Sequence, residues 1–156
     1  MSNTDPHEAE LDRSYRASLI LHAVFLAAPL AYAGVIYALA SNEMVPRYRE
    51  GETLRWLIPT LLGVLSVALI VTRGFWARRG AQASLKRGQS VAEALAAAHV
   101  MRSSINETIA VFGLLVYMLN ADAWQSVPFI AIGFLALVRE RPNKTEWRRA
   151  VTKGRL

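Results

Sequence analysis

The 156-residue sequence contains no cysteine, so disulfide bonds, thiolate metal ligands and cysteine nucleophiles are all excluded. It also lacks a Gly-rich phosphate-binding loop and the ligand spacing of a metal site, and it shows no nucleophile–base pair. These absences predict a protein that binds no metal or cofactor and is not an enzyme.

Charged residues are missing from four long stretches of the chain, namely 17–40, 56–72, 108–121 and 123–138. A soluble helical bundle would instead carry charge at every turn along its solvent face. A bilayer core is about 30 Å thick and needs about 20 helical residues to cross it. We therefore predict an all-α polytopic membrane protein with four transmembrane helices, arranged as two hairpins, at about 17–40, 56–72, 100–120 and 123–138.

The third of these helices is expected to begin before its membrane span. Ser90 is followed three residues later by Glu93, a capping-box pattern, so a helix should start near residue 90. The segment from Arg73 to Gln89, which is basic, is expected to be a loop. The predicted membrane domain, 17–138, is flanked by a polar amino-terminal tail, 1–16, and a basic tail, 139–156.

The distribution of basic residues predicts the orientation. Between them, the segments 73–89 and 139–156 hold twelve Lys and Arg residues, whereas the turn between the third and fourth spans holds none. By the positive-inside rule both termini are cytoplasmic. The net charge of +6 is then explained by contacts with anionic lipid headgroups, not by nucleic acid. A multi-pass protein of a cell membrane, most simply the bacterial inner membrane, is the predicted location.

Glu107 is the one acidic residue that the prediction puts deep inside a span. A charged group in a bilayer core costs about 2.5–3.5 kcal/mol and is usually functional or paired. Three readings remain open: a structural hydrogen-bonding residue, a carrier of a proton or cation, or a residue at the membrane interface. His99, Ser103 and Glu107 share a helical face because they are four residues apart.

Polar residues of other spans are expected at a similar depth. His22, Ser66, Asn106 and Glu107 can form one intramembrane polar layer, to which Ser103 adds a hydroxyl. His99 and Arg102 lie nearer the cytoplasmic interface, where Arg102 can extend to the headgroups. On this reading His22 and His99 differ in depth, which disfavours a haem held between them.

The segment Ile105–Val116 resembles the carboxylate-bearing helix of the proteolipid (c or K) subunits of rotary ATPases. It carries the acid Glu107 followed by an apolar run with an aromatic residue and Gly-Leu. This resemblance implies that Glu107 carries a proton or a sodium ion. The whole chain also looks like small four-span bacterial membrane proteins of unknown role with the same acid and aromatic-Gly-Leu run.

Two functional hypotheses follow. The first is a non-enzymatic accessory subunit that contacts other membrane protein subunits or associates with itself. Small residues at every fourth position of the first span, Ala23, Ala27 and Ala31, with Gly34 and Ala38 on a nearby face, favour such helix contacts. The alternative is a component of proton- or cation-coupled translocation that uses Glu107. An enzyme acting on lipid would need more carboxylates or histidines at one interface than His99 and Glu93 supply.

Overall fold

A computed structural model describes residues 6–42 and 52–153, and within these the secondary structure is entirely helical. The five helices are α1 (Pro6–Ser41), α2 (Glu52–Lys86), α3 (Val91–Asn120), α4 (Ala123–Arg139) and α5 (Lys144–Lys153). The all-α prediction is confirmed in this part of the chain. Much of the segment 43–55, between the first two predicted spans, lies outside the described residues.

α1 and α2 are long and apolar enough to cross a membrane, over Glu8–Ser41 and Arg55–Lys86 respectively. The core helix of a soluble protein can pass the same test, but such a helix is mostly buried. In the most apolar windows of α1 and α2 only 17% and 6% of the residues are buried within the protein. Their apolar side chains therefore face outward along most of both helices, which suits surroundings of lipid or of other protein.

Both long helices extend beyond their predicted spans. Residues 6–16, predicted as a polar tail, form the first turns of α1, and residues 73–86, predicted as a loop, continue α2. The sequence ARRGAQASLK at the end of α2 contains good helix formers, Ala, Arg, Leu and Lys, so a basic charge pattern does not interrupt the helix. Part of the predicted basic tail is likewise helical, as α5.

The start and end of α3 follow from local chemistry. The Ser90 hydroxyl accepts a hydrogen bond from the Glu93 backbone N–H, and the Glu93 carboxylate accepts one from the Ser90 backbone N–H, which confirms the capping box. At the other end Ala121 adopts a left-handed conformation with φ 51°. Asp122 then caps α4 by accepting a hydrogen bond from the Trp124 backbone N–H.

α3 is the central helix, and it packs against α1, α2, α4 and α5. Its contact with α4 brings the two backbones close together at two glycines. A methyl group added at Gly133 would lie 2.8 Å from the Asn106 carbonyl oxygen, and one added at Gly113 would lie 2.8 Å from the Ser126 carbonyl oxygen. The backbones of α3 and α4 therefore approach each other through glycines, as closely packed membrane helices do.

α1 and α2 each pack on α3, but among the described residues they do not pack against each other along their lengths. α1 does pack against α4. Two ion pairs tie α2 to the ends of α4, Arg55 with Asp122 and Arg73 with Glu140. Around α3, α1 therefore contacts α4, and α4 is connected to α2 by the two ion pairs. A gap is left between α1 and α2.

α5 folds back onto the first turns of α1. Trp147 is buried against Leu11 and Ala92, and its ring meets the Tyr15 ring edge-on with the centroids 5.7 Å apart. The Lys144 ammonium lies 2.8 Å from the Asp12 carboxylate, and this ion pair holds the pKa of Asp12 below its usual value. These contacts explain why residues 6–16 are helical instead of a free tail.

Candidate functional site

Glu107 lies half-buried on α3 and accepts a hydrogen bond from the Tyr32 hydroxyl of α1. The bond involves one carboxylate oxygen, Oε1. No hydrogen bond from the described part of the chain reaches the other oxygen, Oε2, which is not enclosed. Glu107 is therefore bonded on the α1 side and accessible on its other side.

The accessible side belongs to an uncovered strip of α3, which we call the open face. It runs between α1 and α2 and consists of Ser104, Glu107, Thr108, Val111, Leu115 and Met118, all half-buried or exposed. Steps of three and four residues keep these positions on one side of the helix. The open face is polar near Glu107 and apolar beyond it, where Leu115 is 43% and Met118 52% exposed.

A second polar cluster joins α2, α3 and the end of α4. The side-chain amide of Asn106 is fully buried; its nitrogen donates to Glu140 at 3.0 Å and its oxygen accepts from Arg73 at 3.3 Å. Arg73 and Glu140 also form an ion pair at 3.2 Å. Each of the three side chains thus supplies a hydrogen-bond or ion-pair partner to the other two. Buried polar groups stabilise a fold when their hydrogen bonds are satisfied in this way.

A third cluster consists of two histidines on α1 and α3. The rings of His22 and His99 lie with their centroids 5.2 Å apart and their planes at 46°. The Ser103 hydroxyl is 3.5 Å from Nε2 of His99, at the outer limit of a hydrogen bond. Both ring nitrogens of His22 are buried and have no hydrogen-bond partner among the described residues.

The residues predicted to form one polar layer are therefore distributed over separate clusters. Glu107 pairs with Tyr32, Asn106 with Arg73 and Glu140, and His22 with His99, which is the partner that the estimated depths disfavoured. Ser66 joins none of them, because its hydroxyl donates to the Leu62 carbonyl of its own helix at 2.8 Å. Arg102 is exposed.

Sequence reasoning missed three of the partner residues, namely Tyr32, Arg73 and Glu140. Arg73 and Glu140 were assigned to basic segments outside the spans, and Tyr32 is one of several aromatic residues of the first span. The one signal for Glu140 is its position as an acid between Arg139 and Arg141, in a segment, 139–156, that holds seven basic residues and one other acid, Glu146.

An apolar groove of about 390 Å³ lies between α1 and α4 on the other side of the bundle. Its lining includes Pro29, Ile36, Val127 and Phe134. Of the two hydroxyl groups in its lining, those of Tyr37 and Ser126, the Ser126 hydroxyl already donates to the Asp122 carbonyl oxygen at 3.2 Å. The groove is therefore lined almost entirely by apolar side chains.

Within residues 6–42 and 52–153, no group of three or more His, Asp or Glu side chains is arranged to hold a metal ion. No protein-family model matches the sequence, and no curated protein or solved structure is similar to it. The open face with Glu107, the Asn106 cluster and the histidine pair are the polar features of the described residues that could support a function.

Proposed function

We propose that this chain is a multi-pass protein of a cell membrane, such as the bacterial inner membrane, with four spans and both termini in the cytoplasm. α1 and α2 have the length and apolarity for two of these spans. The 17 residues of α4 extend about 26 Å at 1.5 Å per residue, close to the thickness of a bilayer core. The polar residues of α3 are in large part satisfied by its neighbours, which reduces the cost of a third span there.

Within that membrane, we propose that the chain is a non-enzymatic accessory subunit whose open face is covered by a helix of another membrane protein. The observation that carries this proposal is the half-buried Glu107 on the uncovered side of α3. Ionisable residues inside a membrane almost always face the interior of a bundle, since exposure to lipid costs several kcal/mol (about 2.5–3.5 on insertion scales). A partner helix across the open face would supply that interior.

The small residues of α1 give independent support. Ala23, Ala27, Ala31, Gly34 and Ala38 are all exposed, and nothing lies within 4 Å of a methyl group added at Gly34. The stripe is therefore not used for packing inside the chain. Small residues in membrane helices let a neighbouring backbone approach closely, so a stripe that stays uncovered suits contact with a further subunit.

Site-specific photo-crosslinking in the native membrane tests the proposal. A photoreactive amino acid replaces Leu115 on the open face or, as the control, Leu135, which is 62% exposed on α4. We expect Leu115 to give a protein adduct of one discrete mass, and Leu135 to give mainly lipid adducts. Substitution Glu107→Gln in the Leu115 variant should weaken the adduct. Lipid adducts alone from both positions would overturn the proposal.

A second candidate function rests on the accessibility of Oε2 of Glu107. A carboxylate that is half-buried beside a hydroxyl and open on one side can take up and release a proton or cation. In that case Glu107 would be the carrier of an ion-coupled translocator. A hydrophobic carbodiimide distinguishes the two functions, because it modifies protonated carboxyl groups. Modification of Glu107 that is prevented at high pH or by sodium supports the carrier, whereas protection by the partner protein alone supports the accessory subunit.

A further inference from the structure

His22 is a buried imidazole whose hydrogen-bonding groups are unused. Its side chain is 4% exposed, and neither Nδ1 nor Nε2 has a partner among the described residues. A neutral imidazole has one donor and one acceptor, and each normally finds a partner when buried. The ring instead packs against His99, which is 8% exposed.

This packing holds α1 against α3 on the membrane side of the α5 contact. Ser18, one turn before His22, is buried, and Leu11 and Tyr15 further along the same side of α1 contact Trp147. On α3, Leu95 and Ala96 pack against the same cluster, one turn before His99. Two layers of contacts therefore hold α1 against α3, and we call them together the joint. The His22–His99 pair is the layer on the membrane side, and Trp147 with Leu11, Tyr15, Leu95 and Ala96 is the layer at the cytoplasmic end.

The charges around the pair are mostly positive. Arg102 of α3 is close enough to interact with His99, and Arg141 and Glu140, after α4, are close enough to interact with His22. Glu140 is already engaged by Arg73 of α2 and by Asn106. From α5, the Lys144 ammonium is paired with Asp12 of α1.

We propose that the His22–His99 contact is a proton-triggered joint, which is closed while both rings are neutral and opens when either ring takes up a proton. An imidazolium carries two N–H donors, and no acceptor among residues 6–42 and 52–153 lies within hydrogen-bond distance of either nitrogen of His22. The new charge would also lie near the positive charge of Arg102 or Arg141. Opening α1 from α3 at the cytoplasmic end lets water solvate the charge, which is how buried histidines drive pH-dependent transitions.

The absence of cysteine makes the test direct, because one introduced thiol is the only reactive one. Ser18→Cys detects opening of the α1–α3 contact, because residue 18 is 2% exposed and becomes accessible only when the helices separate. Ala17→Cys, at the exposed neighbouring position, is the control. Labelling by a maleimide is measured for both variants in the purified full chain. The ratio of their rates cancels the pH dependence of the thiol itself.

As the pH falls from about 8 to about 5.5, through the range in which histidine titrates, we expect this ratio to rise about tenfold. His22→Gln and His99→Gln, each in the Ser18→Cys background, should abolish the rise, with size-exclusion chromatography showing that both variants remain folded. A ratio that stays constant in the parent, or that rises equally in both variants, would overturn the proposal. So would a rise at constant pH caused by zinc and reversed by a chelator, because the pair would then be a metal site.

Discussion

The two sides of α3 differ in how completely they are covered. Toward α4, Gly113 and Gly133 allow the backbones to touch, and Ile109, Ala110 and Val116 are fully enclosed. Toward the gap between α1 and α2, Leu115 and Met118 are exposed and Glu107 has one oxygen free. The chain thus covers the α4 side of its central helix by itself and leaves the other side uncovered, which is where we propose that a partner helix packs.

The largest loss of stability should come from a substitution in the contact between α3 and α4. Gly133→Ala puts a methyl group 2.8 Å from the Asn106 carbonyl oxygen and 2.9 Å from the Ala110 Cβ, so the helices must separate. Overpacking of this kind costs about 1–3 kcal/mol of unfolding free energy. The matched control is Gly63→Ala on α2, where nothing lies within 4 Å. Thermal unfolding in detergent that ranks both variants alike would show that the α3–α4 contact is looser than described.

The next largest loss of stability should come from one of the two ion pairs between α2 and α4, and the two pairs can be compared directly. Arg73→Met removes the ion-pair partner of Glu140 and the donor to the buried Asn106 side-chain oxygen, while the Asn106 nitrogen still donates to Glu140, and it should cost about 1–3 kcal/mol. Arg55→Met removes the outer pair with Asp122, in which the arginine side chain is 55% exposed, and should cost less than about 1 kcal/mol. Double-mutant cycles with Glu140→Gln and Asp122→Asn measure each coupling. Equal couplings would contradict the description of Arg73–Glu140 as part of a buried network.

Glu107→Gln should change the stability of the isolated chain by about 1 kcal/mol or less, because an amide oxygen can still accept the Tyr32 hydrogen bond. Its effect should instead appear in association with the partner. Tyr32→Phe is the complementary variant, since it removes the hydroxyl and keeps the ring. Measuring thermal unfolding and crosslinking yield on the same variants separates an effect on stability from an effect on association. A large loss of stability with unchanged crosslinking would mean that Glu107 stabilises the chain itself.

The smallest effect concerns the contact of α5 with α1. Because the pKa of Asp12 is lowered in the folded protein, its contribution to stability is present above the unfolded pKa and is lost as the pH falls through the folded one. The α5 contact should therefore weaken slightly below about pH 4, the ordinary range of an aspartate. Trp147 fluorescence, read in a variant without the other tryptophans, follows it. Lys144→Met should remove the acid-dependent step, and a step that persists would have another origin.

Local features of this fold could be read from the sequence, and pairings between helices could not. The capping box at Ser90 and Glu93 and the turn before Asp122 depend on neighbouring residues alone. The continuation of α2 through Arg78 and Arg79 was missed because basic residues were read as loop, although arginine is a good helix former.

For the candidate site, too, the sequence predicted local positions but not the contacts between helices. The position of Glu107 within α3 followed from its spacing, but its bond with Tyr32 depends on how α1 crosses α3, which no local pattern encodes. Depth estimated from the ends of the spans separated His22 from His99, whereas the two rings are in contact. Counting residues assumes helices that cross the membrane at the same angle and begin at the same level, and α1 begins well before its apolar run.

Extraction of the wild-type chain from its native membrane into a mild detergent, followed by native mass spectrometry, tests the central claim most directly. If the open face is covered by a partner, the particle will contain the 17.3 kDa chain together with a second membrane protein, and Glu107→Gln will reduce that complex. A particle that contains one 17.3 kDa chain and lipid, in wild type and variant alike, would contradict the account.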